Sequence, residues 1–356
     1  MKLSEKNYKR IVVKVGASIL YGQDAGSDCF VYPMEQLTSQ IASLLKENKE
    51  IVIVSSGAVA SGMRILKMKT RPRGLASLQA TAAVGQHVLM GQYQRFFQNK
   101  GLSCAQVLLT RDDFNDRKRY LNAKNTLLEL FRLESIPIVN ENDSVSTDEI
   151  KFGDNDRLSA LVAGLINADI LIILSDVDGL LDREKKPIRV VDEINAQIRN
   201  LACPTQKNTC VGGMITKIEA AKIAVESGIA CVIANGKTKG IISSVLERPL
   251  TCGTWFLPKK TLAAREHWIA FGTKSKGVVI IDDGAREALI NKKSLLSVGV
   301  VRIEDNFECG DIVSVQDLEG REFARGKVGI SSKQLDKVKG SRFDKEIIHR
   351  DNIVIL

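Results

Sequence analysis

The sequence predicts an α/β fold, a three-layer αβα sandwich with a mainly parallel central sheet, followed by a small β-rich C-terminal domain. Three observations lead there. Short β-branched runs that are apolar on both faces alternate with helical patterns, which is how a parallel sheet covered by helices reads. The pattern changes after Gly253: Pro258, Lys259 and Lys260 mark a linker, and short alternating strands punctuated by glycine take over. The chain has 356 residues, past the size at which one core usually stops growing. The expected division is a domain over 1–257, a linker over 258–271 and a β-rich domain over 272–356.

In the first domain, strands are expected at 11–15, 51–54, 105–109, 136–139, 170–174 and 230–234. Helical patterns cover 34–46, 79–97, 120–133, 157–166, 215–226 and 240–246. Right-handed crossovers put every strand-to-helix loop on one edge of the sheet. The loops after Val15, Val54, Leu109, Val139, Leu174 and Ala234 are therefore where a ligand can bind. In the tail, strands are expected at 278–281, 299–303, 311–315, 321–324 and 352–355, with its one helix of any length near 285–291.

Composition narrows the chemistry. Hydrophobic residues make up 44% and charged residues 26% of the chain, ordinary for a soluble globular protein. The seven cysteines, at 29, 104, 203, 210, 231, 252 and 309, are odd in number and never spaced C-x-x-C. That reads as reduced thiols of a cytoplasmic protein, not a disulfide framework or a zinc site. Histidines occur only at 87, 267 and 349, which argues against a His-rich metal centre or a serine triad. The first ten residues lack the apolar segment of a signal peptide, and the most apolar stretch, 160–174, is interrupted by Asn167 and Asp169. No membrane association is expected. Net charge is +9 from 51 Lys+Arg and 42 Asp+Glu; from Gly272 onward there are 15 basic and 14 acidic residues, so the excess belongs to the first domain. Arg64, Lys67, Lys69, Arg71 and Arg73 fall in ten residues without an acid, a solvated loop able to attract anions.

The stretch 140–160 packs six acids and three asparagines between the apolar run 136–139 and a helix expected to begin near Arg157. An acidic surface turn with a helix N-cap would have the same composition. Its position sets it apart: it leaves the carboxyl end of a buried strand and ends at a helix N-terminus, where open α/β sheets bind ligands. Other groups share that edge. Lys14, Gly16 and Ser18 close the first strand, so a lysine can reach over the strand end while glycine amides approach a phosphate. Ser55, Ser56 and Gly57 repeat the arrangement after the second strand, and Ser175 and Asp176 follow the fifth. Gly212 and Gly213 open a helix with Lys217 in its first turn, another anion-facing arrangement. Taken alone, each also reads as an ordinary turn or strand end. None of the 27 glycines forms G-x-G, which excludes the Rossmann turn, and Cys231 stands where a P-loop ending in Gly236, Lys237 and Thr238 would need its first glycine.

In order, Lys14-Val-Gly16, Ser55-Ser-Gly-Ala58, Asn140-Glu-Asn-Asp143, Gly153-Asp-Asn-Asp156, Ser175-Asp176 and Gly212-Gly-Met-x-Thr-Lys217 resemble the amino-acid kinase superfamily. Within it they are most similar to the enzymes that phosphorylate the side-chain carboxylate of glutamate, and the resemblance covers nearly the whole chain. The tail, with Asp282-Asp-Gly-Ala285, Ser294-Leu-Leu296 and Gly299-Val300, resembles the PUA domain fused to many such kinases. The amino-acid kinase fold and a PUA-like C-terminal domain are what this implies.

The resemblance further implies ATP and Mg²⁺ as cofactors and Lys14, Asp156 and Lys217 as the catalytic groups, the two lysines flanking the transferring phosphoryl and Asp156 holding them in register. Substrate contacts carried over are Ser56, Asn140, Asp143, Asp154 and Asn155. Nucleotide contacts carried over are Lys14, Gly16, Ser175, Asp176 and the run Val211, Gly212, Gly213, Met214, Ile215, Thr216 and Lys217, with the segment near Gly236 at the adenine edge. The product would be glutamyl 5-phosphate, the first step of proline synthesis, with proline as feedback inhibitor and a homo-oligomer, dimer or tetramer, as the assembly. A free glutamate carries an α-ammonium that acidic and amide groups can pair with, which favours glutamate over acetylglutamate. Lys217→Ala or Asp156→Ala is expected to lower kcat with little change in folding. Two departures stand out: Ala17 replaces a threonine common among relatives, and Asn208 to Val211 is less glycine-rich than usual. A sibling kinase acting on aspartate or acetylglutamate remains open, as does an RNA-binding protein using the PUA-like tail, although that tail is nearly neutral.

Overall fold

The computed structural model describes residues 7–20, 31–146, 154–202, 213–258, 266, 268–272 and 275–356. The chain divides into two units, one of residues 1–113 and 117–261 and the other of residues 114–116 and 262–356.

The strands of the first unit are β1 (Arg10–Val15), β2 (Glu50–Ser55), β3 (Ser103–Leu109), β4 (Ser135–Glu141), β5 (Ile170–Ser175), β6 (Val190–Val191), β7 (Ala230–Asn235) and β8 (Thr254–Phe256). They form one sheet in the order β3-β4-β2-β1-β5-β7-β8-β6. The pairs from β3 to β7 are parallel; β8 runs antiparallel to β7, and β6 pairs parallel with β8. β1, β2, β5 and β7 are buried almost throughout, as expected for β-branched runs covered on both faces. The two short strands β6 and β8 are absent from the sequence expectation because two or three residues are too few to show a period.

The helices of this part of the chain are α1 (Ala17–Leu20), α2 (Val31–Lys46), α3 (Ala58–Ile65), α4 (Leu75–Gln98), α5 (Arg111–Asn115), α6 (Arg117–Arg132), α7 (Asp154–Leu165), α8 (Ala196–Leu201), α9 (Gly213–Glu226) and α10 (Ile241–Glu247). Alternation along β1 separates the layers. Ile11, Val13 and Val15 join a core with Met34, Leu37 and Ile41 of α2, Leu89, Tyr93 and Phe97 of α4, and Ile241 of α10. α7 and α9 pack against each other and reach β1 and β7, and Lys14 points to that side, where it meets α7. α7 begins three residues before the expected start near Arg157, so Asp154, Asn155 and Asp156 form its first turn instead of the end of a loop. Carboxylates are favoured there by the helix dipole.

The second unit contains a five-stranded sheet of β9 (Gly277–Ile281), β10 (Val300–Glu304), β11 (Ile312–Gln316), β12 (Glu322–Lys327) and β13 (Ile353–Ile355), ordered β10-β9-β11-β12-β13. Only the β9–β11 pair is parallel. Val279, Ile281, Val313, Val315, Ala324 and Ile348 fill its core with Leu289 and Leu335. These two leucines come from α11 (Asp283–Ile290) and α12 (Ser332–Val338). α11 falls near its expected place and is capped by the Asp282 carboxylate, which accepts from Ala285 N at 2.7 Å. α12 is an additional helix, started by a reciprocal capping box between Ser331 and Gln334, a Ser-x-x-Gln signature that is readable in the sequence. Trp268, Ile269 and Ala270, in the expected linker, are buried, and Trp268 Nε1 donates to Phe114 O at 3.0 Å. Among the described residues, no helix is long and apolar enough to cross a membrane.

Candidate active site

The sequence gives central strand β1 one charged side chain beyond its first residue, Lys14, and packing buries it to 5% exposure. Its register neighbours are Val54 and Ile173, so neither adjacent strand offers a counter-charge. The counter-charge comes from α7: Lys14 Nζ lies 2.6 Å from Asp156 Oδ1. The other carboxylate oxygen accepts from Thr216 Oγ1 at 2.7 Å and lies 3.4 Å from Lys217 Nζ, both from the first turn of α9. Lys217 Nζ also donates to Gly213 O at 2.7 Å, curling its ammonium back over the helix start. Ser159 Oγ donates to Asp156 O at 2.6 Å.

Burial by itself would raise the Asp156 pKa; the Lys14 and Lys217 ammoniums, with hydrogen bonds from Lys14 and Thr216, outweigh it and hold the carboxyl below its ordinary value. Burial is also the main influence on Lys14, and with Lys217 nearby it lowers that ammonium's pKa against the opposing pull of Asp156. One buried and one partly buried cation share one anion, leaving an excess positive charge at the carboxyl edge of the sheet.

Beside this trio lies a chain of amides. Asn140, near the end of β4, is buried; its Oδ1 accepts from Glu141 N at 2.9 Å and Asn155 Nδ2 at 3.0 Å, and its Nδ2 donates to Gln86 Oε1 at 2.7 Å. Asn155 Nδ2 also donates to Ser56 Oγ at 3.1 Å. Ser56 is placed by the next residue: Gly57, with φ of 113°, caps α3 in a left-handed conformation that only glycine adopts without strain. Asn155 Oδ1 is buried without a hydrogen-bond partner among the described residues. Asp143 sits half-buried in the turn after β4, where Val145 N and Ser146 N both donate to Asn142 O at 3.1 Å. Asp154 is the first residue of α7. Gln79 Nε2 donates to Ser146 O at 3.0 Å, tying α4 to the same turn.

Towards β5 and β7, Ser175 is buried and its Oγ lies 3.4 Å from Asp176 Oδ1, while Asp176 is exposed. Ser175 O accepts from Gly236 N at 2.8 Å, joining the two strand ends. A Cβ on Gly16 would sit 3.7 Å from Lys14 Nζ, so the glycine leaves open the space beside the ammonium. Gly213, Met214, Ile215, Thr216 and Lys217 form the start of α9; Val211 and Gly212 lie outside the described residues, as does 147–153. Arg64, Lys67, Lys69, Arg71 and Arg73 are exposed. Among the described residues, no three His, Cys, Asp or Glu side chains are grouped to hold a metal ion.

The structure thus brings together Lys14, Asp156, Thr216 and Lys217 in one cluster and Ser56, Asn140 and Asn155 in another. Gln86, which bonds Asn140, belongs to none of the sequence motifs. Its signal was weak but present: Gln79 and Gln86 are seven residues apart, on one face of a helix.

Comparison with known proteins agrees with this geometry. The model of the Amino acid kinase family matches residues 9–235, and that of the PUA domain matches residues 277–349. Glutamate 5-kinase of Thermoanaerobacter sp. (strain X514) is 44% identical over 366 residues, covering 98% of this chain and 98% of that protein. Glutamate 5-kinase of Nitrosospira multiformis is 44% identical over 370 residues, covering 99% of each. Among solved structures, Giardia carbamate kinase superposes with a TM-score of 0.52 at 16% identity, over 71% of this chain and 100% of that one. N-acetylglutamate synthase from Neisseria gonorrhoeae gives 0.52 at 14% identity, over 70% of this chain and 62% of that one. These two show a shared fold. At 44% identity over nearly full length, with the family model matched over the sheet that carries Lys14, Asp156 and Lys217, the chain belongs to the amino acid kinase family, in its glutamate 5-kinase branch.

Proposed function

We propose that the protein transfers the γ-phosphoryl group of ATP to the side-chain carboxylate of L-glutamate, giving L-glutamyl 5-phosphate and ADP, the first step of proline biosynthesis. The observation that carries this is the Asp156 carboxylate shared by Lys14 and Lys217 at the carboxyl edge of the central strand. Phosphoryl transfer needs charge neutralisation and in-line positioning more than covalent help. A carboxylate oxygen of glutamate attacks phosphorus, the bond from phosphorus to the bridging oxygen breaks, and ADP leaves. The attacking carboxyl, with a reference pKa of about 4.3, is already ionised at neutral pH, so no base is required.

Lys14 and Lys217 are the groups for the charge that builds on the transferring oxygens, and Asp156 keeps two like charges close enough to act together. Ser56, Asn140, Asp143, Asp154 and Asn155 are the proposed amino-acid contacts. Gly16, Ser175, Asp176 and 211–217 are the proposed nucleotide contacts. Mg²⁺ enters with the nucleotide as part of the substrate MgATP, in keeping with a lysine-lined site whose one buried carboxylate is engaged by two ammoniums and a hydroxyl. The proposed units of activity are a kinase domain over 1–257 and a PUA-like domain over 272–356. Action in the cytoplasm, assembly into a homo-oligomer and inhibition by proline belong to the same proposal.

The test is an ADP-release assay with MgATP and a panel of glutamate, aspartate, acetylglutamate and UMP. Turnover with glutamate far above the others is expected, and proline added to the same assay should slow it. Glutamate-independent ADP release, or preference for another acceptor, would sink the assignment.

A further inference from the structure

We propose that Gln86 is a positioning residue for the amino-acid substrate, fixing through Asn140 which end of the Asn155 amide faces the substrate. This deepens the glutamate reading above and rests on it. One group in this chain of amides has a polarity beyond choice. The Glu141 backbone N–H can only donate, so the Asn140 atom 2.9 Å away must be its oxygen. Asn140 Nδ2 is then turned away, and the 2.7 Å contact with Gln86 requires that Gln86 present its oxygen. The Asn155 atom 3.0 Å from Asn140 Oδ1 must in turn be a nitrogen. Its oxygen is what remains, buried and unpartnered among the described residues. A buried acceptor without a donor is costly unless a bound group completes it. An ammonium is a donor with no acceptor capacity, which is what the α-nitrogen of an amino acid offers.

Gln86 completes this order from the far end. Without its oxygen, Asn140 Nδ2 would be a donor in a buried place with nothing to accept from it. The Asn140 side chain would then be held from its oxygen end alone, by Glu141 N and Asn155 Nδ2, and its grip on the Asn155 amide would loosen. The position of Gln86 is itself set by close packing. A Cβ on Gly85 would fall 1.8 Å from Ala58 O and 2.3 Å from Gly62 N, so α4 and α3 touch backbone to backbone at the residue before Gln86. α3 begins two residues after Ser56, the other acceptor of the Asn155 amide. The helix crossing therefore holds both ends of the relay in one rigid unit. Gln86 Nε2 is buried without a partner among the described residues, leaving the bond to Asn140 as the one that orients its amide.

The experiment compares Gln86→Met, which keeps the volume and removes the acceptor, with Gln86→Glu, which keeps an acceptor for Asn140 Nδ2 and removes the Nε2 donor. Each is assayed with glutamate and with glutarate, the same diacid without the ammonium. In Q86M the KM for glutamate should rise about ten-fold or more, with kcat and the KM for ATP changed by less than about three-fold. The preference for glutamate over glutarate should fall by the same factor, and Q86E should recover most of the loss. Thermal unfolding of both variants checks folding. A glutamate KM in Q86M equal to the parent's, an equal loss with glutarate, or equal damage in Q86M and Q86E would overturn the proposal while leaving the function intact. A parent enzyme with no glutamate turnover would take both down.

Discussion

Asp156 is one carboxylate facing two ammoniums, and that stoichiometry governs what substitution does to it. At 1% exposure it is buried with Lys14, and removing one member of such a pair strands the other's charge at a cost of about 3–5 kcal/mol. Asp156→Ala is therefore expected to lower stability as well as kcat, unlike the small folding effect anticipated from sequence alone. Lys217, more exposed than Lys14 and held partly by Gly213 O, leaves the Lys14–Asp156 pair intact when truncated. Lys217→Ala should lower kcat by a factor equivalent to about 2.7–4 kcal/mol of barrier, with an unfolding transition near the parent's. Equal melting shifts in the two variants would contradict this ranking. The pKa directions add a pH signature. Lys14 titrates below the usual 10.5, so kcat/KM, which reports the free enzyme, should decline on an alkaline limb below that value. Lys14→Arg, charged throughout, should lose that limb at whatever rate remains. The stability effect has the opposite sign: with the folded pKa depressed, the unfolded chain binds more protons in that window, and the Lys14 contribution to stability rises with pH as activity falls. Asp156, also depressed, contributes stability that is present above its unfolded value near 3.8 and lost as pH falls through its folded value. A kcat/KM flat up to pH 10.5 would show Lys14 to be dispensable as a cation. Lys14 stands out in the sequence because it interrupts an apolar strand, whereas Asp156 and Lys217 were legible through the family motifs that contain them. The Thr216 hydroxyl on Asp156 and the Gln86 oxygen on Asn140 do not stand out, because both depend on how helices distant in sequence pack.

At the scale of elements, the α3–α4 crossing positions Gln86 and Ser56 at the proposed amino-acid site. Gly62 and Gly85 bring two helix backbones so close that a Cβ on either would fall within 2 Å of a carbonyl oxygen of the other helix, Thr81 O for Gly62 and Ala58 O for Gly85. Those atoms are backbone and cannot swing aside. Gly85→Ala must then separate the helices, an overpacking cost of about 1–3 kcal/mol. It should also displace Gln86 and Ser56 together, so the glutamate KM should rise alongside a lowered melting temperature. His87, exposed on the same helix, gives the control: His87→Ala should change neither. If Gly85→Ala melts and binds like the parent, the crossing is looser than the geometry indicates. Such a contact is invisible in a sequence, where Gly85 is one glycine inside a helical pattern. Long periodic elements such as α2 and the buried strands β1, β2, β5 and β7 were legible from their apolar runs. The short strands β6 and β8 were not, since two or three residues show no period and only pairing defines them, Val190 with Trp255 and Val191 with Phe256. The early start of α7 was hidden because Asp154, Asn155 and Asp156 resemble loop composition, and the bonds that tie Asn155 to β4 and Asp156 to α9 join elements distant in sequence.

At the scale of the molecule, every proposed contact to glutamate or ATP lies in the first unit, and the second has its own sheet and core. The near balance of 15 basic and 14 acidic residues from Gly272 onward would give little pull on a polyanion. A chain ending at residue 261 should therefore keep glutamate-dependent ADP release within about three-fold of the full chain, since no group that neutralises or positions charge is lost. It should not keep the full stability. Residues 114–116 cluster with the second unit although they lie within the first 261 residues. Phe114 is 2% exposed and its carbonyl accepts the Trp268 indole N–H, so truncation uncovers an aromatic side chain and strips a buried acceptor of its donor. Exposing a Phe side chain costs about 1.5–3 kcal/mol, so the shortened chain should melt lower, and Phe114→Ser should restore part of its solubility without altering kcat. Separating rate from stability is what makes this decisive: a shortened chain that stays folded by circular dichroism but loses its glutamate turnover would place the second unit in catalysis. If turnover persists and inhibition by proline or assembly state changes, the tail acts on regulation or oligomerisation, as a unit with an independent core can do without touching the phosphoryl-transfer site.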